Sequence, residues 1–201
     1  KRGFTDFMRY RVRDLLFAFT ILIILSPLLA AISLAILFLH GRPVFYQEKR
    51  AGLHGKLFTI YKLRTLAASQ GQQPSAGDLE NRIAKNGTPE NCPGDFFKFL
   101  RKYSLDELPQ IWNVLRGDMS LVGPRPMPPH ELEYRFGPDA SRVTSVAPGL
   151  TGLWQVSGRN DLPLEVRHRL DLNYVETKSF LLDFRIILRT FHAVFSGKGA
   201  Y

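Results

Sequence analysis

The chain has 201 residues, 45% of them hydrophobic, and carries 27 Lys and Arg against 18 Asp and Glu, a formal charge of +9. That much apolar material supports one cored domain with an appendage; it excludes wholesale disorder and leaves no room for two ordinary domains. The positive excess favours polyanionic partners (nucleic acid, anionic lipid headgroups or phosphorylated substrates), while a single cysteine, Cys92, excludes an internal disulfide and fits a reducing compartment.

Residues 15–39 hold no charged side chain. As one helix they would reach roughly 37 Å, more than a bilayer core of about 30 Å. Ser26-Pro27 falls at the centre of this run. Pro27 has no N–H to offer the carbonyl of Ile23, and Ser26 can return its hydroxyl to the backbone one turn earlier, easing a break. Each arm then reaches roughly 16–18 Å, about half the bilayer core. Both flanks are basic, with Arg9, Arg11 and Arg13 before and Arg42, Lys49 and Arg50 after, and the positive-inside tendency puts both on the cytoplasmic side. These features favour a re-entrant membrane helix hairpin over residues 1–40, broken at Ser26-Pro27. A kinked spanning helix and a signal peptide are the weaker alternatives.

Residues 41–201 read as a catalytic domain on the cytosolic face. Alternating stretches at 44–48 and 56–62, separated by Gly52 and Gly55, predict a β-hairpin. Residues 67–94 are polar and rich in turn formers, predicting a flexible exposed loop with a short helix near 78–85. A basic amphipathic helix is expected at 96–102. A helix over 105–115 would start from a capping box, Ser104 with Glu107, and stop at Gly117. The connector Gly123-Pro124-Arg125-Pro126-Met127-Pro128-Pro129 cannot be helical, and a helix is expected from His130 or Glu131. Pro148-Gly149-Leu150-Thr151-Gly152 predicts a turn into a strand at 153–156, and 164–195 reads as two helices. The fold class is mixed α/β: a small β-hairpin or sheet with surrounding amphipathic helices, plus the N-terminal membrane hairpin.

Nucleotide-binding glycine motifs, P-loops and zinc signatures are absent from the sequence. The acidic candidate is Asp106-Glu107. Adjacent carboxylates at a helix start ordinarily complement the dipole, contributing about 0.3–1 kcal/mol. The chemical alternative makes one carboxylate a nucleophile toward phosphorus and its neighbour a ligand for a hard divalent cation. The cationic candidates are Lys62, Arg64, Arg101, Arg125 and Arg159. A lone Arg is ordinarily a solvated surface group. Arg125, locked between Pro124 and Pro126, is the exception, because lost backbone freedom suits fixed bidentate recognition of phosphate.

Three blocks then carry a resemblance. Ser104-Leu105-Asp106-Glu107-Leu108-Pro109-Gln110 through Gly117-Asp118-Met119-Ser120-Leu121-Val122-Gly123-Pro124-Arg125-Pro126, and Pro148-Gly149-Leu150-Thr151-Gly152-Leu153-Trp154-Gln155-Val156-Ser157-Gly158-Arg159-Asn160, resemble the bacterial sugar transferases, the monotopic polyprenyl-phosphate phosphoglycosyl transferases. The basic segment at Arg11 and Asp14, with Ser26-Pro27, is similar to a third block.

The resemblance implies a re-entrant membrane helix and a ping-pong reaction. Asp106 would attack the sugar-linked phosphate of a UDP-sugar, releasing UMP, and undecaprenyl or another polyprenyl phosphate would then take up the phospho-sugar. It further implies Mg2+ held by Asp106 and Glu107, with arginines such as Arg101, Arg125 and Arg159 around the phosphates. The bilayer's cytoplasmic leaflet, at the inner membrane of a bacterium, would be a partner; nucleic acid would not, and a homodimer is compatible.

The sequence departs from the family pattern in places. Tyr10 stands where the N-terminal motif usually has Lys, leaving an Arg11–Asp14 pairing open, and Ala147 replaces an Arg before Pro-Gly. The ending Gly197-Lys198-Gly199-Ala200-Tyr201 resembles the subgroup that transfers hexose 1-phosphate, often galactose, and that often carries an extra N-terminal portion. Two readings from other classes compete: a membrane-tethered nucleic-acid binder, suggested by the charge, and a non-catalytic scaffold in which Asp106-Glu107 only cap a helix.

Overall fold

The computed structural model describes residues 2–65, 94–197 and 199. Most of the expected loop, its short helix at 78–85 and Cys92 lie outside the described residues. The first element, α1 (Arg2–His40), runs as one helix with Pro27 inside it, so the secondary structure is not interrupted where the sequence suggested a break. The reason is local: Ser26 Oγ donates to Ile23 O at 3.0 Å, the carbonyl that Pro27 leaves without an amide partner. Within α1, Met8–His40 is long and apolar enough to cross a membrane.

A hairpin follows. β1 (Phe45–Ala51) pairs antiparallel with β2 (Leu57–Leu63), Phe45 opposite Leu63 and Ala51 opposite Leu57. Along β2 the period-2 alternation buries Phe58 and Ile60 on one face, and Lys62 shares their parity. Next, α2 (Asp95–Lys102) buries Phe97 and Leu100 against Leu63 and the Ile32 and Ile36 side of α1.

The expected single helix at 105–115 is two elements: a 3₁₀ helix at Leu105–Gln110 and α3 (Ile111–Arg116). Pro109 cannot supply the amide that an α-helical turn back to Leu105 requires. Ser104 is not the expected cap; it adopts φ +54° and its side chain makes no capping bond. Gly117 closes α3 as expected, at φ +89°, its amide donating to Asn113 O and Val114 O.

β3 (Ser120–Val122) comes next, then α4 (Pro129–Phe136), α5 (Ala140–Val143) and β4 (Gly149–Thr151). β3 and β4 pair in parallel, Ser120 opposite Gly149 and Val122 opposite Thr151. The strand expected at 153–156 is instead helix, α6 (Leu153–Ser157), and pairing falls on the preceding glycine-rich segment. Sterics decide this: a Cβ on Gly149 would stand 2.0 Å from Gly123 N, and one on Gly152 2.5 Å from Gly123 O. Only bare backbone can approach Gly123 so closely. Two helices close the chain, α7 (Leu164–Thr177) and α8 (Phe180–Ser196), matching the expectation for that region.

The main core joins Phe58 and Ile60 of β2, Ile111 and Val114 of α3, Leu121 and Val122 of β3, Tyr174, Ile186 and Ala18 of α1. Buried polar contacts tie α1 to this core. Arg13 Nη1 donates to Asp183 Oδ2 (2.7 Å) and Arg13 Nη2 to Asp14 Oδ1 (2.7 Å), while Ser120 Oγ donates to Asp14 Oδ2 (2.5 Å). The open Arg11–Asp14 pairing is thus corrected: Asp14 pairs with Arg13. Arg11 instead donates to Val114 O (2.5 Å) and Leu115 O (2.6 Å) at the end of α3, where the helix dipole favours a cation.

Candidate active site

The 3₁₀ helix at Leu105–Gln110 lies against β2, and this contact makes the site. Lys62 would face solvent if β2 were two-sided and exposed, but its parity with Phe58 and Ile60 turns it inward. There Lys62 Nζ donates to Glu107 Oε1 at 2.6 Å. Arg125 Nη2 reaches the same oxygen at 3.0 Å. Arg125 is held from both sides, since Gly149 N donates to Pro124 O (2.8 Å) and Arg50 Nη1 to Pro126 O (3.2 Å). Pro124 and Pro126 thereby do structural work beside the site. Ala51 N adds a bond to Met127 O (2.8 Å), so the hairpin fixes the connector.

Electrostatics drives the two adjacent carboxyls apart. Burial pushes Glu107 up, but the charges of Arg125 and Lys62 outweigh it and hold the group well below the usual carboxylate range. Asp106 is pushed up to about 6, by burial first and by the charge of Glu107 second, against the pull of Lys62, Arg101 and Arg125. Burial also draws Lys62 down, with Glu107 opposing. The result is one carboxylate held in its ionised form by two cations beside one whose ionisation burial opposes.

Most of the sequence candidates therefore meet. Asp106, Glu107, Lys62 and Arg125 form the centre, Arg101 acts on Asp106 by its charge, and Arg159 feels the charge of Glu107. Arg159 sits at φ +53° in the turn after α6. Arg64 is the exception. β2 ends at Leu63, and Arg64 Nη2 donates to His40 O (2.7 Å) and Gly41 O (3.0 Å), closing the C-terminus of α1 rather than joining the site. Two residues missed by the sequence reading belong to the surroundings. Trp154 carries Arg125 Cζ 6.0 Å and Arg167 Cζ 5.4 Å from its ring centroid. Its place in the block ending at Asn160 was the available signal.

Among the described residues no group of three or more His, Cys, Asp or Glu side chains could hold a metal ion. Asp106 and Glu107 supply two carboxylates, a donor set that would suit a hard cation such as Mg2+. A cation there would also offset the burial and the Glu107 charge that together lift Asp106.

The chain matches the bacterial sugar transferase family over residues 5–197. It is 39% identical, over 95% of its length, to an undecaprenyl-phosphate galactose phosphotransferase of Salmonella typhimurium, of which it covers 41%. It is 38% identical to the exopolysaccharide production protein ExoY of Sinorhizobium fredii, covering 94% of this chain and 86% of that one. A third relative is the UDP-glucose:undecaprenyl-phosphate glucose-1-phosphate transferase of Caulobacter vibrioides, at 36% identity over 96% of this chain and 72% of that protein. The chain thus spans about two fifths of the Salmonella protein but most of ExoY. A family match of that extent, over the segments that build the Asp106-Glu107 site, makes this chain a member of the bacterial sugar transferase family.

Proposed function

We propose that this chain transfers a hexose 1-phosphate from a UDP-sugar to undecaprenyl phosphate, starting the synthesis of a polysaccharide or related glycoconjugate. The observation that carries the reading is the unequal pair: Glu107 held ionised by Lys62 and Arg125, beside a buried Asp106 whose carboxyl is pushed up.

In the first half-reaction an Asp106 carboxylate oxygen attacks the sugar-linked phosphorus. The bond from that phosphorus to the bridging oxygen breaks, and UMP leaves with the electron pair. In the second, an oxygen of undecaprenyl phosphate attacks the same phosphorus, the bond to Asp106 breaks, and the carboxylate is restored. Lys62, Arg125, Arg101 and Arg159 offset the charge of the phosphates as they converge. Asp106 and Glu107 would hold Mg2+, which when bound supplies charge neutralisation at the pyrophosphate.

The acceptor is a lipid, and several features support a bilayer seat. α8 exposes Leu181, Phe184, Leu188, Phe191 and Phe195 at helical spacing along one face. Both halves of α1 rest on the same folded body, Arg11 and Ala18 against α3 and the main core, Ile32 and Ile36 against Leu63 and Phe97. A helix passing to the far side of the bilayer could not make both sets of contacts. This favours a re-entrant α1 with the domain on the cytoplasmic face, where both basic flanks belong.

Incubation with undecaprenyl phosphate, Mg2+ and a panel of UDP-sugars is expected to release UMP with at least one donor, to lose that activity in excess EDTA and to recover it with added Mg2+. No UMP with any donor overturns the transfer, and full activity in EDTA overturns the metal. Cysteines introduced near each end of α1 should react from the same side of sealed vesicles; opposite-side labelling means a true span.

A further inference from the structure

Under the ring of Trp154, five polar side chains line one small cavity of about 10 Å³ walled by Met127 and Phe136: Arg135, Trp154, Arg167, His168 and Asp171. Four of these side chains each carry one buried polar atom without a hydrogen-bond partner among the described residues: Arg135 Nε, Trp154 Nε1, His168 Nε2 and Asp171 Oδ1; the guanidinium of Arg167 is already bonded to Leu162 O and Asn160. Asp171 is 1% exposed and Trp154 5%, and although the His168 side chain is 28% exposed, its Nε2, like the other three atoms, is closed off from bulk water. The nearest acid to His168 Nε2 is Asp139 Oδ2, at 4.0 Å, beyond hydrogen-bond reach.

Buried polar atoms left unpaired are rare in folded proteins, and four around one cavity call for a common partner. The chemistry of the set is specific. Trp154 Nε1 and Arg135 Nε are N–H donors, His168 Nε2 can accept, and Asp171, whose carboxyl burial pushes well above its ordinary value, still accepts through a carbonyl oxygen when protonated. A water molecule accepts two hydrogen bonds and donates two, matching this set, and the cavity holds about one such molecule. A metal ion would meet two N–H donors, and a larger ligand would not fit.

We infer that this cavity binds a single structural water, and that the water fixes the indole of Trp154 as the platform on which Arg125 lies. The indole ring carries Arg125 on its face, and Arg125 Nη2 donates to Glu107 Oε1. Trp154 touches no reacting atom; it is a positioning residue acting through Arg125. The catalytic half of the inference rests on the transferase reading, whereas the water does not.

A crystal structure of the full chain at a resolution that shows ordered solvent is expected to contain one water within hydrogen-bond distance of at least three of the four atoms. A dry cavity, or a water bonded to fewer, overturns the site without bearing on the transfer reaction. For the positioning role, Trp154→Phe keeps an aromatic face but removes the N–H. With the UDP-sugar found active in the panel, kcat/KM should fall about five- to tenfold, the size of one hydrogen bond, with the thermal midpoint little changed. In an Arg125→Lys background the same substitution should cost less than twofold; an undiminished loss there overturns action through Arg125. If Trp154→Phe does not fold, His168→Phe removes another partner of the water and is held to the same pair of outcomes. Absence of UMP release with every donor sinks the transferase reading and leaves the crystallographic test standing.

Discussion

Lys62 Nζ lies 2.6 Å from Glu107 Oε1, joining the inward face of a β-strand to a carboxylate 45 positions later on a 3₁₀ helix. Glu107 shares that oxygen with Arg125, so the two cations hold one negative charge in a fixed place. Lys62→Met removes one of them and leaves Arg125, its side chain 34% exposed, to stabilise a buried carboxylate alone. Loss of a charged hydrogen bond of this kind costs about 1.5–3 kcal/mol, so kcat/KM for the UDP-sugar should fall on the order of 10- to 100-fold. Lys62→Arg should recover part of it. Unchanged kinetics in the Met variant would remove Lys62 from the site.

Asp106 offers a test that needs no substrate. Its carboxyl is raised from 3.8 to about 6, chiefly by burial, so between those values the folded protein binds more protons at this site than the unfolded chain. Stability from this group is present below pH ~4 and is lost as pH rises through ~6, by an amount on the order of 1–3 kcal/mol. Asp106→Asn lacks this dependence. The variant should match the parent's thermal midpoint near pH 4 and exceed it at pH 7.5, while releasing no UMP. A variant that is less stable than the parent at pH 7.5 contradicts the raised carboxyl, and retained turnover contradicts the nucleophile.

Gly149 and Gly123 meet backbone to backbone. A methyl group on Gly149 would lie 2.0 Å from Gly123 N and 2.4 Å from Thr151 O, atoms that cannot swing away. Gly149→Ala should therefore break the β3–β4 pair and release Pro124 O, loosening Arg125. The expected outcome is a loss of several degrees in thermal midpoint together with most of the activity; a variant with parental stability would mean that the strands can part at little cost.

Arg13 is the hinge of the buried polar group under α1. It is 8% exposed and bonds both Asp14 and Asp183, while Tyr174 Oη donates to Asp183 Oδ1 at 2.7 Å. Arg13→Met strands two buried carboxylates, a change that typically costs about 3–5 kcal/mol. Thermal unfolding in detergent should show that loss, with Arg13→Lys between the two because an ammonium cannot bond both acids with the geometry of a guanidinium fork. A fall under about 1 kcal/mol would mean that water reaches the network.

Much of this site was legible from local chemistry. The Asp106-Glu107 pair, Arg125 between two prolines and the glycine-rich turn at Gly149 are encoded in contiguous residues, because nucleophile, backbone restraint and close approach each need a particular side chain or its absence. The hairpin and the two closing helices were likewise readable, since alternation and helical spacing reflect which face is buried. The strand at 153–156 was misplaced because its apolar residues carry no sign of where backbone pairing is sterically allowed; the glycines beside them do.

The amino-acid order by itself determined the chemical groups and the apolar run that suits a bilayer. The folded arrangement alone decided their partners. It chose Arg13 over Arg11 for Asp14, sent Arg64 to the end of α1, and turned Glu107 from a cap into the shared acceptor of Lys62 and Arg125. Charges are promiscuous in sequence because any cation can pair with any carboxylate. Only burial, which makes an unpaired charge costly and fixes which ones stand within 3 Å, selects among them.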